Sequence, residues 1–271
     1  MYENAEECVD KQLSIIMPVE YEEKYMEDAL KNITEMADNK IEFIIVNNGM
    51  DHRDYANLLK LMNKELSVRL YNTTKHLSYA GILNTGISLA TGKYITFLEP
   101  QDWYKSKEML ENWLEYARKE KYDCCIGKWI ERNARTSKSG QVLHSPKQNV
   151  GIWENDFHNV LFRAEYLKNN ELTFEEYSIF TGFEFWTRAV FEAGSIGFFD
   201  EYVYNKRKIW KQDWLKTEKI LQVLEGIECI VQNSRKYKNP FLHGKVYSIL
   251  NSDEIKKMII NGTKMYHMPE G

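Results

Sequence analysis

Apolar positions along the chain fall into two kinds of run that alternate. Leu13 to Met17 (LSIIM) is apolar at nearly every position and is closed by Pro18, the pattern of a strand buried on both faces. Between Glu22 and Met36 the pattern changes. Tyr25, Met26, Ala29, Leu30, Ile33 and Met36 recur at helical spacing, which predicts a helix there. IEFIIV at 41–46 is a second buried strand and runs into the turn residues Asn47, Asn48 and Gly49. A short helix is predicted at about 53–64 and a third strand from Val68 to Tyr71. A helix from Leu77 to Ala90 follows, stopped by Thr91-Gly92, and then a fourth strand from Tyr94 to Leu98. Strands alternating with helices at this spacing predict an α/β fold, a mostly parallel sheet flanked by helices and joined by right-handed crossovers. Ligands bind such sheets beyond the carboxyl ends of the strands. Those ends are Pro18–Glu20, Asn47–Gly49 and Glu99–Asp102.

The second half reads differently. A helix is predicted at about 106–120, a strand from Tyr122 to Ile130, and a polar loop at 133–148 long enough for a lid. Helices at about 158–169 and 182–193 flank Leu172 to Phe180, and a strand covers Ile196 to Tyr204. A basic stretch (Lys206, Arg207, Lys208, Lys211) leads into a long amphipathic helix at about 212–235, with a last helix near 253–261. This divides the chain into a main domain, 1–210, and a helical C-terminal extension, 211–271. The long helix has a polar face of mixed charge, so it suits the core or a protein partner better than a membrane.

Charge and composition narrow the function classes. The chain of 271 residues holds 36 Lys+Arg against 40 Asp+Glu, a net charge of -4. That balance lacks the basic footprint of a nucleic-acid binder. No apolar run approaches the ~20 residues that span a bilayer, and the acidic start carries no signal-peptide core. Cysteines at 8, 124, 125 and 229 form no metal spacing, and the adjacent pair is poor disulfide material. The expectation is a cytoplasmic protein with reduced thiols, with the inner face of the membrane as the place for any peripheral attachment.

Several segments together resemble the family 2 glycosyltransferases, which have the GT-A fold. SIIMPVEYEEKYMEDALKNI looks like that family's first strand, Pro-Val turn and first helix, and IEFIIVNNGMD like its second strand and uracil-contacting turn. LSYAGILNTGISLATGKYITFLEPQDW is the strongest match and leads into the place of the family's metal motif. GFEFWTRAVFEAG resembles the acceptor-side helix, and FFDEYVYNKR the strand after it. The resemblance implies transfer of a sugar from a nucleotide-diphosphate donor, a UDP-sugar first of all, to a saccharide, lipid-linked or protein-linked acceptor. In this family Mn²⁺ or Mg²⁺, held by a D-x-D, neutralises the leaving diphosphate, and an acid opening the acceptor helix deprotonates the acceptor with inversion.

The chain departs from that pattern where acids are expected. V-D-D-G-S is here Val46-Asn47-Asn48-Gly49-Met50, and D-S-D-D is Glu99-Pro100-Gln101-Asp102. The common Arg before Asn-Thr-Gly is Leu83, and the Glu-Asp pair opening the acceptor helix falls on Thr181-Gly182. Carried over residue by residue, the resemblance places Pro18, Glu20, Asn48, Gly49, His76, Lys206 and Arg207 at the nucleotide, Glu99 and Asp102 at the metal or diphosphate, and Glu184 as a displaced base. Each has a plainer reading beside it. Asp102 would cap the helix near Ser106, Glu184 would pair with Arg188 one turn on, His76 would be a loop residue, and the basic stretch would be a solvated face. Trp103 and Trp186 read equally as core or as acceptor wall. The rival function is a degenerate domain of the same fold that binds a ligand or partner without catalysis; a metal-independent transferase using the basic segment is a third.

Overall fold

The computed structural model describes residues 10–20, 25–50, 52–62, 67–133, 142–144, 157–176, 181–208, 228–229, 231–233 and 235–238. The first half follows the alternation of the sequence. Strands β1 (Leu13–Val19), β2 (Ile41–Asn47), β3 (Val68–Asn72) and β4 (Tyr94–Phe97) alternate with helices α1 (Met26–Met36), α2 (His52–Met62) and α3 (Tyr79–Leu89). All pairings among these strands are parallel, in the order β3-β2-β1-β4.

The period-two geometry of β1 divides the core into two layers. Leu13, Ile15, Met17 and Val19 pack with α1 residues Ala29 and Ile33 and with α2 residue Leu58 on one face. Ile16, together with Ile44 and Val46 of β2, packs with Ala80, Ile82 and Leu83 of α3 on the other. A strand that must be apolar on both faces cannot alternate, which is why these runs are continuous. Gly86 lets α3 lie against the sheet, because a Cβ there would stand 2.3 Å from Ile16 Cγ2.

The second half continues the same sheet with mixed directions. After the short strand β5 (Trp103–Tyr104) and helix α4 (Lys107–Lys119) come β6 (Cys124–Asn133), β7 (Val142–His144), β8 (Val160–Arg163), helices α5 (Ala164–Asn169) and α6 (Thr181–Phe191), and β9 (Ile196–Lys208). The full order is β3-β2-β1-β4-β8-β6-β9-β5, with β7 beside β6. β8 runs antiparallel between β4 and β6, while β6 and β9 are parallel along their length. One expected helix is corrected here. The stretch from 158 is a single 3-10 turn (Phe157–Asn159) followed by strand β8, and only its second part, α5, is helical. Val160, Leu161 and Phe162 are fully buried between two strands, so neighbours across the sheet override local periodicity.

The expected lid at 133–148 begins on Asn133, the last residue of β6, and contains β7; the rest of it lies outside the described residues, as does most of the expected extension at 211–271. The described part of that extension packs on α6: Tyr237 stacks on Phe191 with centroids 5.3 Å apart, and Lys236 pairs with Glu192.

Candidate active site

The carboxyl ends of β1, β2 and β4 carry the polar residues that the sequence singled out. At the end of β2, Asn47 Oδ1 accepts from the Gly49 and Met50 amides at 3.1 and 2.6 Å, an Asx turn. Gly49 adopts φ 124°, open to glycine and strained for other residues. Pro18 lies buried within β1 opposite Val46, so it shapes the strand and leaves the open edge to Glu20.

Asn48 is the hub of this corner. It is 3% exposed. Its Oδ1 accepts from the Leu77 amide at 2.9 Å and from Thr73 Oγ1 at 3.0 Å. Its Nδ2 lies 3.2 Å from Glu20 Oε1, 3.2 Å from His76 Nδ1 and 3.0 Å from the Leu77 carbonyl. Three residues expected at the nucleotide, Glu20, Asn48 and His76, are thus brought together. The hub also explains its own chemistry, because an amide both donates and accepts, whereas an ionised carboxylate only accepts. A carboxylate at 48 would leave the Leu77 carbonyl without a donor and would face Glu20.

A second cluster stands at the end of β4. The Asp102 amide closes a turn on the Glu99 carbonyl at 3.0 Å. Glu99 Oε1 accepts from the Tyr79 hydroxyl of α3 and lies 3.1 Å from His158 Nε2. Asp102 is 1% exposed; its Oδ2 accepts from the Tyr204 hydroxyl and its Oδ1 from the Arg207 amide, each at 2.7 Å. The imidazole of His158 also stacks on Tyr204, centroids 5.8 Å apart. Burial pushes the Asp102 carboxyl up to about 6. His158, the Arg207 amide and the Tyr204 hydroxyl hold that rise back, and the Glu99 charge adds to it. The expected capping of α4 by Asp102 does not occur: Ser106 is the cap, its Oγ accepting from the Met109 amide at 3.1 Å.

The donor set of this cluster fits a divalent cation poorly. A hard dication needs about six oxygen ligands, charged ones first. Both Asp102 oxygens and Oε1 of Glu99 already accept hydrogen bonds from within the protein. Gln101 offers only a neutral amide where the family motif has a carboxylate. Among the described residues no group of three His, Cys, Asp or Glu side chains has metal-holding geometry.

The basic segment divides. The Lys206 ammonium stands 5.6 Å from the Trp129 ring centre. The Arg207 guanidinium turns toward α1, donating to Asp28 Oδ2 at 2.8 Å and lying 4.2 Å from the Tyr25 ring centre. Lys211 lies outside the described residues. Trp103 stands at the edge, with Arg207 and Arg132 over its ring, whereas Trp186 is a buried core residue.

On α6, Glu184 is 3% exposed and accepts from Arg188 Nη2 at 2.8 Å and from Asn233 Nδ2 at 3.2 Å. It pairs with Arg188 one turn on, buried where the plainer reading had it solvated. Gly182 is closed by an aromatic ring, since a Cβ there would stand 2.5 Å from Phe157 Cε1. The residues beside the candidate acids that sequence reasoning passed over are therefore Tyr79, Phe157, His158 and Tyr204. Phe157 and His158 were hidden at the edge of a predicted helix. Tyr204 carried a signal, because it closes the strand expected at 196–204, six residues after Phe198, where the matching run FFDEYVYNKR begins.

The family model described as glycosyl transferase family 2 matches residues 14–189, more than half of the chain. A glycosyltransferase of Haemophilus influenzae, itself uncharacterised, is 21% identical over 92% of this chain and 84% of its own length. A second one from the same organism is 29% identical over 38% of this chain, which spans 41% of it. Among solved structures, Staphylococcus aureus TarS 1-349 in complex with UDP-GlcNAc superposes with a TM-score of 0.66 at 16% identity, over 93% of this chain and 71% of that one. The mannosyltransferase PcManGT of Pyrobaculum calidifontis, solved with GDP-Man and Mn²⁺, gives a TM-score of 0.65 at 14% identity, over 95% and 76%.

Proposed function

The chain belongs to glycosyl transferase family 2, and from that premise we propose that it moves a sugar from a nucleoside-diphosphate donor, a UDP-sugar by preference, to a saccharide, lipid-linked or protein-linked acceptor with inversion. The observation that carries the reading is the corner at the ends of β1 and β2, where Glu20, Asn48 and His76 meet at the edge on which such sheets bind ligands. In this reading Asn48 presents the rim of the nucleotide pocket indirectly, by fixing His76 and the Leu77 backbone, and Gly49 leaves room for the base. Transfer would be a single displacement. The acceptor oxygen attacks the anomeric carbon, its proton passes to a carboxylate, and the nucleoside diphosphate leaves with the bonding pair.

Glu184 qualifies as that carboxylate only if Arg188 releases it. The substitution E184Q separates the roles. A base would lose transfer with donor affinity and stability intact, whereas a strut for α6 would lose stability first.

Cytoplasmic placement, with the inner membrane face as the site of lipid-linked acceptors, is part of the same proposal. Its support is the pair of buried free thiols Cys124 and Cys125, and that no described helix is long and apolar enough to cross a membrane. The extension that packs on α6 is the proposed surface for a protein partner.

Isothermal titration with UDP-GlcNAc, UDP-glucose and GDP-mannose tests the reading. A dissociation constant of about 1 mM or tighter for at least one donor is expected. Absence of binding by all of them sinks it, and binding without transfer or hydrolysis leaves only a donor-binding subunit.

A further inference from the structure

The cluster at the end of β4 is built differently from a cation site, and the difference concerns how a donor diphosphate is held. We propose that Tyr79, His158, Tyr204 and the Arg207 amide lock Glu99 and Asp102 into a closed hydrogen-bonded unit, so that this chain binds its nucleoside-diphosphate donor without a bridging divalent metal. The inference rests on the donor reading above and deepens it.

A carboxylate that coordinates a dication must aim at least one lone pair at it from a position the ion can reach. Asp102 turns both oxygens into the protein, to Tyr204 at 2.7 Å and to the Arg207 amide at 2.7 Å, and is 1% exposed. The Arg207 bond belongs to the backbone of β9, a strand paired with β6 through Asn133↔Lys208 and with β5 at Trp103↔Asn205. Turning the Asp102 side chain toward a cation would leave the Arg207 amide without this acceptor, at the cost of an unmade hydrogen bond. Glu99 is drawn the same way from two other elements, by Tyr79 of α3 and by His158 of the turn before β8. Three segments distant in sequence, α3, the turn before β8 and β9, converge on two acids and hold them with hydrogen bonds from within the protein.

Aromatic packing fixes the donors. His158 is buried, stacked on Tyr204 and against Phe157, whose ring meets Phe97 at 5.2 Å and Phe174 at 5.0 Å. Tyr204 lies edge-on to Tyr104 at 5.5 Å. Moving the imidazole aside to admit a hydrated ion would disturb that packing as well as the hydrogen bonds. With the acids so held, the diphosphate has to be met by protein N–H donors and cations, of which Lys206 is next to the amide that closes the unit.

The test is titration of UDP into the full chain, once in EDTA and once in excess Mn²⁺, with GDP as a second nucleotide. The expected result is binding of at least one nucleotide with dissociation constants agreeing within about twofold between the two conditions, a difference under ~0.5 kcal/mol. Binding that tightens about tenfold or more with Mn²⁺, or occurs only with it, overturns the inference and leaves the donor reading standing. No binding of either nucleotide in either condition overturns both.

Discussion

Two polar hubs stand on the same edge of one sheet and are built on opposite principles. The hub at the end of β2 is centred on a neutral amide, Asn48, whose donors and acceptors are all matched by Glu20, Thr73, His76 and Leu77. The hub at the end of β4 buries a carboxylate, Asp102, with a second one, Glu99, in reach and an imidazole facing both. A satisfied amide carries little desolvation penalty, while a buried charge carries several kcal/mol unless it is paired. The missing acids of this chain therefore have separate causes. At 48 the hub requires an amide; at 182 the ring of Phe157 requires the absence of a side chain; at 101 the neighbouring acids are already committed inward.

Removing the imidazole has the largest expected effect. In His158→Ala the two acids lose the cation-capable partner that faces them, and Tyr204 loses a stacked ring. We expect a stability loss of about 4 kcal/mol in chemical denaturation, the range for breaking a buried charged cluster. A loss under about 1 kcal/mol would mean that the imidazole does not hold this hub together. The neutral hub should respond to the opposite change. Asn48→Asp restores the acid of the family pattern, yet it replaces the Nδ2 that lies 3.2 Å from Glu20 Oε1 and 3.0 Å from the Leu77 carbonyl with an acceptor. A loss of about 2 to 3 kcal/mol is expected, from one orphaned carbonyl and one like-charge contact. If Asn48→Asp were neutral or stabilising in the same denaturation measurement, the amide would not be what the hub requires.

How far these hubs could be read from sequence follows from the range of the interactions. β1 to β4 and the helices between them are legible because each element is specified by its own period, and both layers of the core follow from continuous apolar runs. The corner at Asn48 is also largely legible, since Glu20, Asn48 and His76 all sit just past strands or before a helix. The hub at Asp102 is not. Tyr79, His158, Tyr204 and Arg207 come from three elements separated by up to 128 positions between Tyr79 and Arg207, and no local pattern encodes that convergence. The His158 segment misleads outright, because Phe157, Val160 and Leu161 fit a helical stripe as well as the turn and strand they form. The pairing of Glu184 with Arg188 is legible from i,i+4 spacing; that it is buried under Asn233 is not. Glycine at 182 could be seen as a lost acid, but the reason for it, a ring from 25 residues upstream, appears only in the fold.

The smallest expected effect separates the hubs by their charge alone. Asp102 titrates at about 6 in the folded chain against an ordinary 3.8, so the folded state holds that proton more tightly than the unfolded one. Stability from this group is therefore fully present below about pH 4 and is lost as pH rises through about 6, by at most about 3 kcal/mol at 1.36 kcal/mol per unit. Asp102→Asn cannot ionise; its carbonyl oxygen accepts from the Arg207 amide and its NH₂ donates to the Tyr204 hydroxyl, which can accept as well as donate. The cost of that rearrangement is similar at every pH, because the variant has no titrating group at this position. The stability difference between variant and wild type should accordingly move in favour of the variant by about 1 to 2 kcal/mol between pH 4.5 and pH 8, part of the full linkage, whatever its starting offset. Denaturation curves at those two values read the change directly. A difference that stays flat across the interval would mean that Asp102 is not held against ionisation by burial, and the contrast between a neutral and a charged hub would lose its physical basis.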